Sequence, residues 1–230
     1  MTSFSANLGF LWTDRSLADA IHAAAKAGFD AVECHWPYDE DAGDVKAALA
    51  ATGLSMLGLN APRGDGTLGE NGLAALAGRE DAARDSIDAA LDYADAIDAS
   101  NIHVLSGFAS GQAAEACFIE NLRYATTAAA VRGRSILIEP LNQYDAPGYF
   151  LNHTDQARRI IEAVGAANLK LMFDCYHIQI LEGDLTRRID ANLDITGHIQ
   201  FAGVPSRGRP DLGEVNYAHI FAHLAASGYD

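Results

Sequence analysis

The sequence predicts an α/β protein of the (β/α)8 TIM-barrel class, with the eighth strand missing from the 230 residues. Three observations lead there. Short strand-like runs alternate with helix-like stretches along the whole chain, the pattern of a parallel sheet covered by helices. The βα unit recurs seven times, one short of a closed barrel. No composition break divides residues 1–230, so they read as a single domain, and α/β barrels often exceed 200 residues.

Each element has its own signal. "ANLGFL" (6–11) is the first strand, and "SLADAIHAAAKAG" (16–28) is an amphipathic helix stopped by Gly28. "FDAVECHW" (29–36) and "SMLGLN" (55–60) are the second and third strands, separated by the helix "AGDVKAALAATG" (42–53). The Gly-rich stretch "APRGDGTLGENG" (61–72) matches neither phosphate-binding pattern and reads as an active-site loop or a connector. A helix over 79–99, the strand "NIHVLSG" (101–107), a helix over 112–133 and the strand "SILIEP" (135–140) follow. Thr154 is an N-cap candidate for the helix at 154–165. "LKLMFD" (169–174) is the sixth strand, 184–193 a helix, "TGHIQFAG" (196–203) the seventh strand and 216–228 the last helix. Its end at residue 230 looks like a chain cut before another strand, which would leave the first and seventh strands flanking a space for it.

Composition narrows the function. The chain is 49% hydrophobic and 20% charged, with 16 Lys and Arg against 31 Asp and Glu, a formal charge of -15. So acidic a surface repels a phosphate backbone, and nucleic acid is not expected as a partner. No run of about 18 apolar residues is present to cross a membrane, and no basic n-region opens a signal peptide. Cys34, Cys117 and Cys175 form neither a zinc knuckle nor a disulfide framework, which fits the cytoplasm. A homo-oligomer is compatible with all of this.

Function in a parallel barrel gathers at the C-terminal ends of the strands. Those ends carry Glu33 and His35, His103, Glu139, Asp174, His198 and Gln200. Glu139 and Asp174 each close an apolar run, and Pro140 biases Glu139 towards an extended backbone. No Lys or Arg ends the fifth, sixth or seventh strand, so a bound cation is the expected counter-charge. His103 and His198 sit mid-strand, each as readily an interior residue as a substrate contact. His22, His219 and His223 lie on helices and read as surface or packing residues.

"IEPLNQYDAPGYFL", "FDCYHIQILEGDL", "GHIQFAGVPSRGRPDLGEVNY", "NAPRGDG" and "GRE" together resemble the hydroxypyruvate isomerase family, within the xylose-isomerase-like sugar isomerases and epimerases. The resemblance runs from the first strand to the last helix. It implies one divalent metal on Glu139, Asp174 and Gln200, with Glu139 also one member of an acid/base pair. It implies that His177 and Arg207 contact the substrate, and Asp145 and His198 join Arg207 as candidate substrate contacts. The family's fourth ligand, a Glu on an eighth strand in a "G-x-x-G-x-E-Y" context, has no counterpart here, so metal is expected to be weakly held.

The implied reaction interconverts hydroxypyruvate and tartronate semialdehyde by proton transfer through an enediolate. A carboxylate would take the proton, His177 would polarise the carbonyl, and Arg207 would clamp the substrate carboxylate, with Arg209 as a competitor. Carboxylate and amide oxygens suit Mg²⁺ or Mn²⁺. No phosphate cradle is evident, so the partner is a small unphosphorylated keto acid or ketose. Isomerisation of a 2-oxo-tetronate and 3-epimerisation of a ketose are sister readings. A metal-dependent endonuclease would need a basic groove, and a non-catalytic sugar-binding barrel would not need both carboxylates.

Overall fold

A computed structural model describes residues 3–229. Its elements are β1 (Ser5–Asn7), α1 (Leu17–Ala27), β2 (Ala31–Glu33), α2 (Ala42–Thr52), β3 (Ser55–Met56), β4 (Gly58–Asn60), α3 (Glu80–Ile97), β5 (Asn101–His103), α4 (Gly111–Ala130), β6 (Ser135–Ile138), α5 (Thr154–Val164), β7 (Leu169–Asp174), α6 (Cys175–Leu181), α7 (Leu185–Asn192), β8 (Thr196–Gln200) and α8 (Tyr217–Ala226). Every ladder is parallel, in the orders β1-β2-β3 and β4-β5-β6-β7-β8. β3 and β4 are two parts of one barrel strand interrupted at Leu57. Across the break the Leu57 N–H still donates to the Val32 carbonyl at 2.7 Å, and the Leu57 carbonyl accepts from the Asn101 N–H at 3.0 Å. The result is the TIM-barrel architecture expected. Among the described residues no ladder joins β1 to β8.

The strands are hydrophobic on both faces because helices cover the outside while side chains fill the inside. Ile136, Leu137 and Ile138 of β6 are all buried, as are Leu171 to Asp174 of β7. Helices present small and branched residues to this sheet, with Ile21, Ile87, Leu91, Phe118 and Leu122 almost fully excluded from water. Local chemistry sets the ends. The Ser16 hydroxyl accepts from the Asp19 N–H at the start of α1, and Gly28 stops it with φ 89°, where a side chain would be strained. No helix among the described residues is long and apolar enough to cross a membrane.

Several boundaries differ from expectation. The first strand ends at Asn7 because its carbonyl and side chain turn the chain, accepting from the N–H groups of Phe10, Leu11 and Gly9. The second and seventh strands stop at Glu33 and Gln200, three residues short each. α6 went unforeseen. It is seven residues long, too short for a periodic signal, and Asp174 caps it by accepting from the Tyr176 N–H at 2.8 Å. The Gly-rich stretch holds a single 3-10 turn, Gly66–Leu68, tied by Asp65, Glu70 and Arg79.

Thr154 is not an N-cap. His153 occupies that position, and Thr154 instead donates both its N–H (2.7 Å) and its hydroxyl (2.9 Å) to the Glu182 carboxylate. Arg188 reaches the same buried carboxylate at 3.0 Å. Replacing Glu182 by Ala strands a helix N–H and an arginine together, so Glu182→Ala is expected to lower stability by about 3 kcal/mol in urea denaturation.

Candidate active site

The C-terminal ends of β6, β7 and β8 converge on a buried polar cluster. Glu139 directly follows β6, and Asp174 is the last residue of β7. Parallel pairing puts Gln200 beside Asp174 in the ladder. His177 stands on the first turn of α6, three residues after Asp174. Glu139, Asp174 and His177 each bring a potential ligand atom to within 4.8 Å of one another, and all three are buried.

Burial pushes the Glu139 carboxyl well above its ordinary range, the neighbouring Asp174 adds to this, and Arg207 opposes it. Around Glu139, His103 Nδ1 lies 3.8 Å from Oε2 and His177 Nε2 4.0 Å from Oε1. Neither imidazole supplies a charge: burial lowers His103 to about 3 and also lowers His177. Glu139 Oε1, His177 Nε2 and His103 Nε2 have no hydrogen-bond partner among the described residues. Two close carboxylates with unused lone pairs and no cation on Glu139 form a donor set suited to a hard divalent ion. The expected counter-charge is partly the protein's own, because a loop arginine absent from every strand end, Arg207, reaches Asp174.

The geometry also settles the His177 tautomer. Its Nδ1 accepts from the Asn142 backbone N–H at 3.0 Å and lies 2.9 Å from Asn142 Nδ2. A backbone N–H only donates, so Nδ1 must be bare and the proton of the neutral ring sits on Nε2. The Asn142 amide is itself oriented, since its Oδ1 accepts from the N–H groups of Tyr144 and Asp145. The His177 Nε2–H therefore faces the carboxylates, 3.7 Å from Asp174 Oδ2.

Arg207 follows β8 with a left-handed backbone, φ 53°. Its guanidinium lies between the rings of Phe10 (4.7 Å) and Tyr176 (4.9 Å), with Nη2 3.4 Å from Asp174 Oδ2 and Nη1 3.7 Å from Asp145 Oδ2. Stacking holds a planar cation without saturating its N–H groups. Arg209 points elsewhere: its side chain is 74% exposed and paired with Asp211 at 2.6 Å.

On the far side, Glu33 at the end of β2 accepts from Gln200 Nε2 at 2.8 Å and from His198 Nε2 at 3.1 Å. Burial raises Glu33, but the charge and hydrogen bonds of His198 and the Gln200 amide outweigh it, and the carboxyl is lowered. Burial lowers His198, but Glu33 outweighs that and raises it. Of the residues singled out from the sequence, Glu139, Asp174, His177, His103, Arg207 and Asp145 come together, and His198 and Gln200 meet at Glu33, whereas Arg209 points into solvent. The sequence showed Glu33 at a strand end without a role, and it gave no role to Asn142, Phe10 or Tyr176. Only Glu33 carried a usable signal, a charged residue ending an apolar strand. The wider surface concavity between the N-termini of α4 and α5, lined by Gln112, His153, Asp155 and Arg159, is exposed and holds none of these groups.

Residues 21–230 match the family model described as the xylose isomerase-like TIM barrel. The chain is 46% identical over its whole length to a 2-oxo-tetronate isomerase of Cupriavidus necator, spanning 90% of it. It is 40% identical, again over its whole length, to the hydroxypyruvate isomerase of Escherichia coli, spanning 91% of it. A crystal structure described as an AP endonuclease, family 2, from Brucella melitensis superposes with a TM-score of 0.96 at 41% identity, covering all of this chain and 90% of that one. Fold and site together define a barrel enzyme of the isomerase kind. The chain belongs to the xylose isomerase-like TIM-barrel family.

Proposed function

We propose that this chain is a divalent-metal-dependent isomerase of a small unphosphorylated 2-keto acid, interconverting hydroxypyruvate and tartronate semialdehyde. The observation that carries this reading is the buried pair Glu139 and Asp174 facing the Nε2–H of His177, with the stacked guanidinium of Arg207 beside them. The full-length likeness to a hydroxypyruvate isomerase supports it.

Glu139, Asp174 and Gln200 would hold the metal, Mg²⁺ or Mn²⁺ by the hardness of their oxygens. His177 is excluded as a ligand through Nε2, because that atom bears the proton. When bound, the cation supplies Lewis acidity to the substrate oxygens. The protein groups do the rest. Arg207 binds the substrate carboxylate and sets its orientation. Glu139 takes a proton from the CH₂OH carbon, a C–C double bond forms, and the electron pair moves to the former carbonyl oxygen. The His177 Nε2–H donates a hydrogen bond to that oxygen. Return of that proton from Glu139 to the former carbonyl carbon, with transfer of the neighbouring hydroxyl proton to the former carbonyl oxygen, completes the isomerisation.

The relative from Cupriavidus necator supports a second reading, a 2-oxo-tetronate as substrate, for which the same groups serve. A net charge of -15 disfavours the nuclease reading. Turnover of hydroxypyruvate, 2-oxo-tetronates and ketoses with Mg²⁺, Mn²⁺ and EDTA tests the proposal. Keto-acid turnover that EDTA abolishes and either metal restores is expected; turnover of ketoses alone sinks it.

Substrate anchoring gives a further expected result. Arg207→Ala should raise KM for hydroxypyruvate about 10- to 100-fold, the loss of a charged hydrogen-bonding partner, while Mn²⁺ affinity stays within a few-fold. Arg209→Ala, already paired in solvent, should leave KM near the parent value. The reverse order in steady-state kinetics would move the anchor to Arg209.

A further inference from the structure

We infer that Glu33 is a positioning residue that turns the Gln200 side chain so that its amide oxygen, not its NH₂, serves the metal. This rests on the reading of Gln200 as a ligand.

A glutamine amide has two ends of nearly equal shape and opposite chemistry: an oxygen that binds cations and an NH₂ that repels them. Gln200 stands beside Asp174 in the β7–β8 ladder, so its side chain serves the site only if the oxygen end is presented. The structure shows what decides. Glu33 Oε2 accepts from Gln200 Nε2 at 2.8 Å, and a carboxylate offers acceptors only. Turning the amide over would set oxygen against oxygen at a partly buried contact. With Nε2 engaged by Glu33, the oxygen is the end of the Gln200 amide left for another use.

Glu33 is suited to this task. It is 8% exposed, rooted at the end of β2, and steadied by a second donor, His198 Nε2, on the same oxygen. It stands outside the Glu139, Asp174 and His177 cluster and so acts on the metal through Gln200. Partners that orient ligands from behind in this way commonly change metal affinity 10- to 100-fold when replaced.

The test is calorimetric titration of the intact chain with Mn²⁺ in the absence of substrate, alongside thermal unfolding. Glu33→Gln gives the amide of Gln200 a partner that can offer either end, and Mn²⁺ affinity is expected to fall about tenfold or more. In the Glu33→Gln/Gln200→Glu double variant, donor and acceptor are exchanged and an oxygen again faces the site, so affinity should recover above that of Glu33→Gln. Glu33→Asp, which keeps the charge but shortens the reach, is the second probe and should also weaken binding. Unchanged Mn²⁺ affinity in a folded Glu33→Gln or Glu33→Asp chain overturns the inference, and a lowered melting temperature with unchanged affinity leaves Glu33 a purely structural residue. Gln200→Ala separates the two levels: if it binds Mn²⁺ as the parent does, Gln200 is no ligand, and the reading beneath the inference fails first.

Discussion

Glu139→Gln is expected to lower turnover by about three orders of magnitude or more, with the fold intact. The substitution keeps the side-chain shape and one ligand oxygen but removes the proton acceptor, and general base catalysis is typically worth 10²–10⁴-fold. Loss of half the charge of the Glu139–Asp174 pair weakens metal binding as well, so the two losses compound. Stability should not suffer. Burial and Asp174 make an ionised Glu139 unfavourable without a cation, and a neutral amide relieves that repulsion. The metal-free variant is expected to melt at or above the parent temperature. Turnover at saturating Mn²⁺, read beside thermal unfolding, checks both halves. Near-parental turnover would remove Glu139 as the base.

Asn142→Asp should be nearly as damaging, by about 10²–10³-fold in kcat, although Asn142 is fully buried and lies behind His177. An aspartate side chain there presents a charged oxygen to His177 Nδ1, outcompetes the residue-142 N–H for that nitrogen, and draws the ring proton to the wrong side. The Nε2–H that faces the reacting oxygen is then lost, and a wrong tautomer disables an otherwise intact site. Asn142→Ala makes the contrast. The backbone N–H of residue 142 still donates to Nδ1 at 3.0 Å, so the tautomer survives and the loss should stay within about tenfold. Nitrogen NMR of the His177 ring reads the tautomer directly. Parent-like ring shifts in Asn142→Asp would refute the assignment, as would equal losses of kcat in the two variants.

Much of this was legible in the residues themselves. The alternation of helical and strand-like runs is a local signal, because a residue's neighbours at two or at three to four positions decide which face it buries. It marked the barrel strands and placed Glu139, Asp174 and Gln200 at strand ends. The family resemblance of "IEPLNQYDAPGYFL" and its companions added a role for each of them. Short elements escaped. α6 has too few residues for a period to show, and the early ends of the first, second and seventh strands depend on turns made after the sheet forms.

What the sequence by itself determined is therefore the barrel and the strand-end carboxylates, since both follow from patterns within a few residues. Only the tertiary structure decided how those groups are aimed. Glu33 meets Gln200 across 167 positions because curling the parallel sheet carries the end of β2 towards the end of β8. Arg207 rather than Arg209 faces the site because Phe10 and Tyr176, from segments far apart in the chain, close on its guanidinium. The Nε2 proton of His177 is set by an N–H from a loop 35 residues earlier. Each outcome depends on distances between segments that share no local pattern. Burial then enforces it, since a misdirected donor or acceptor out of reach of water costs about 1–3 kcal/mol.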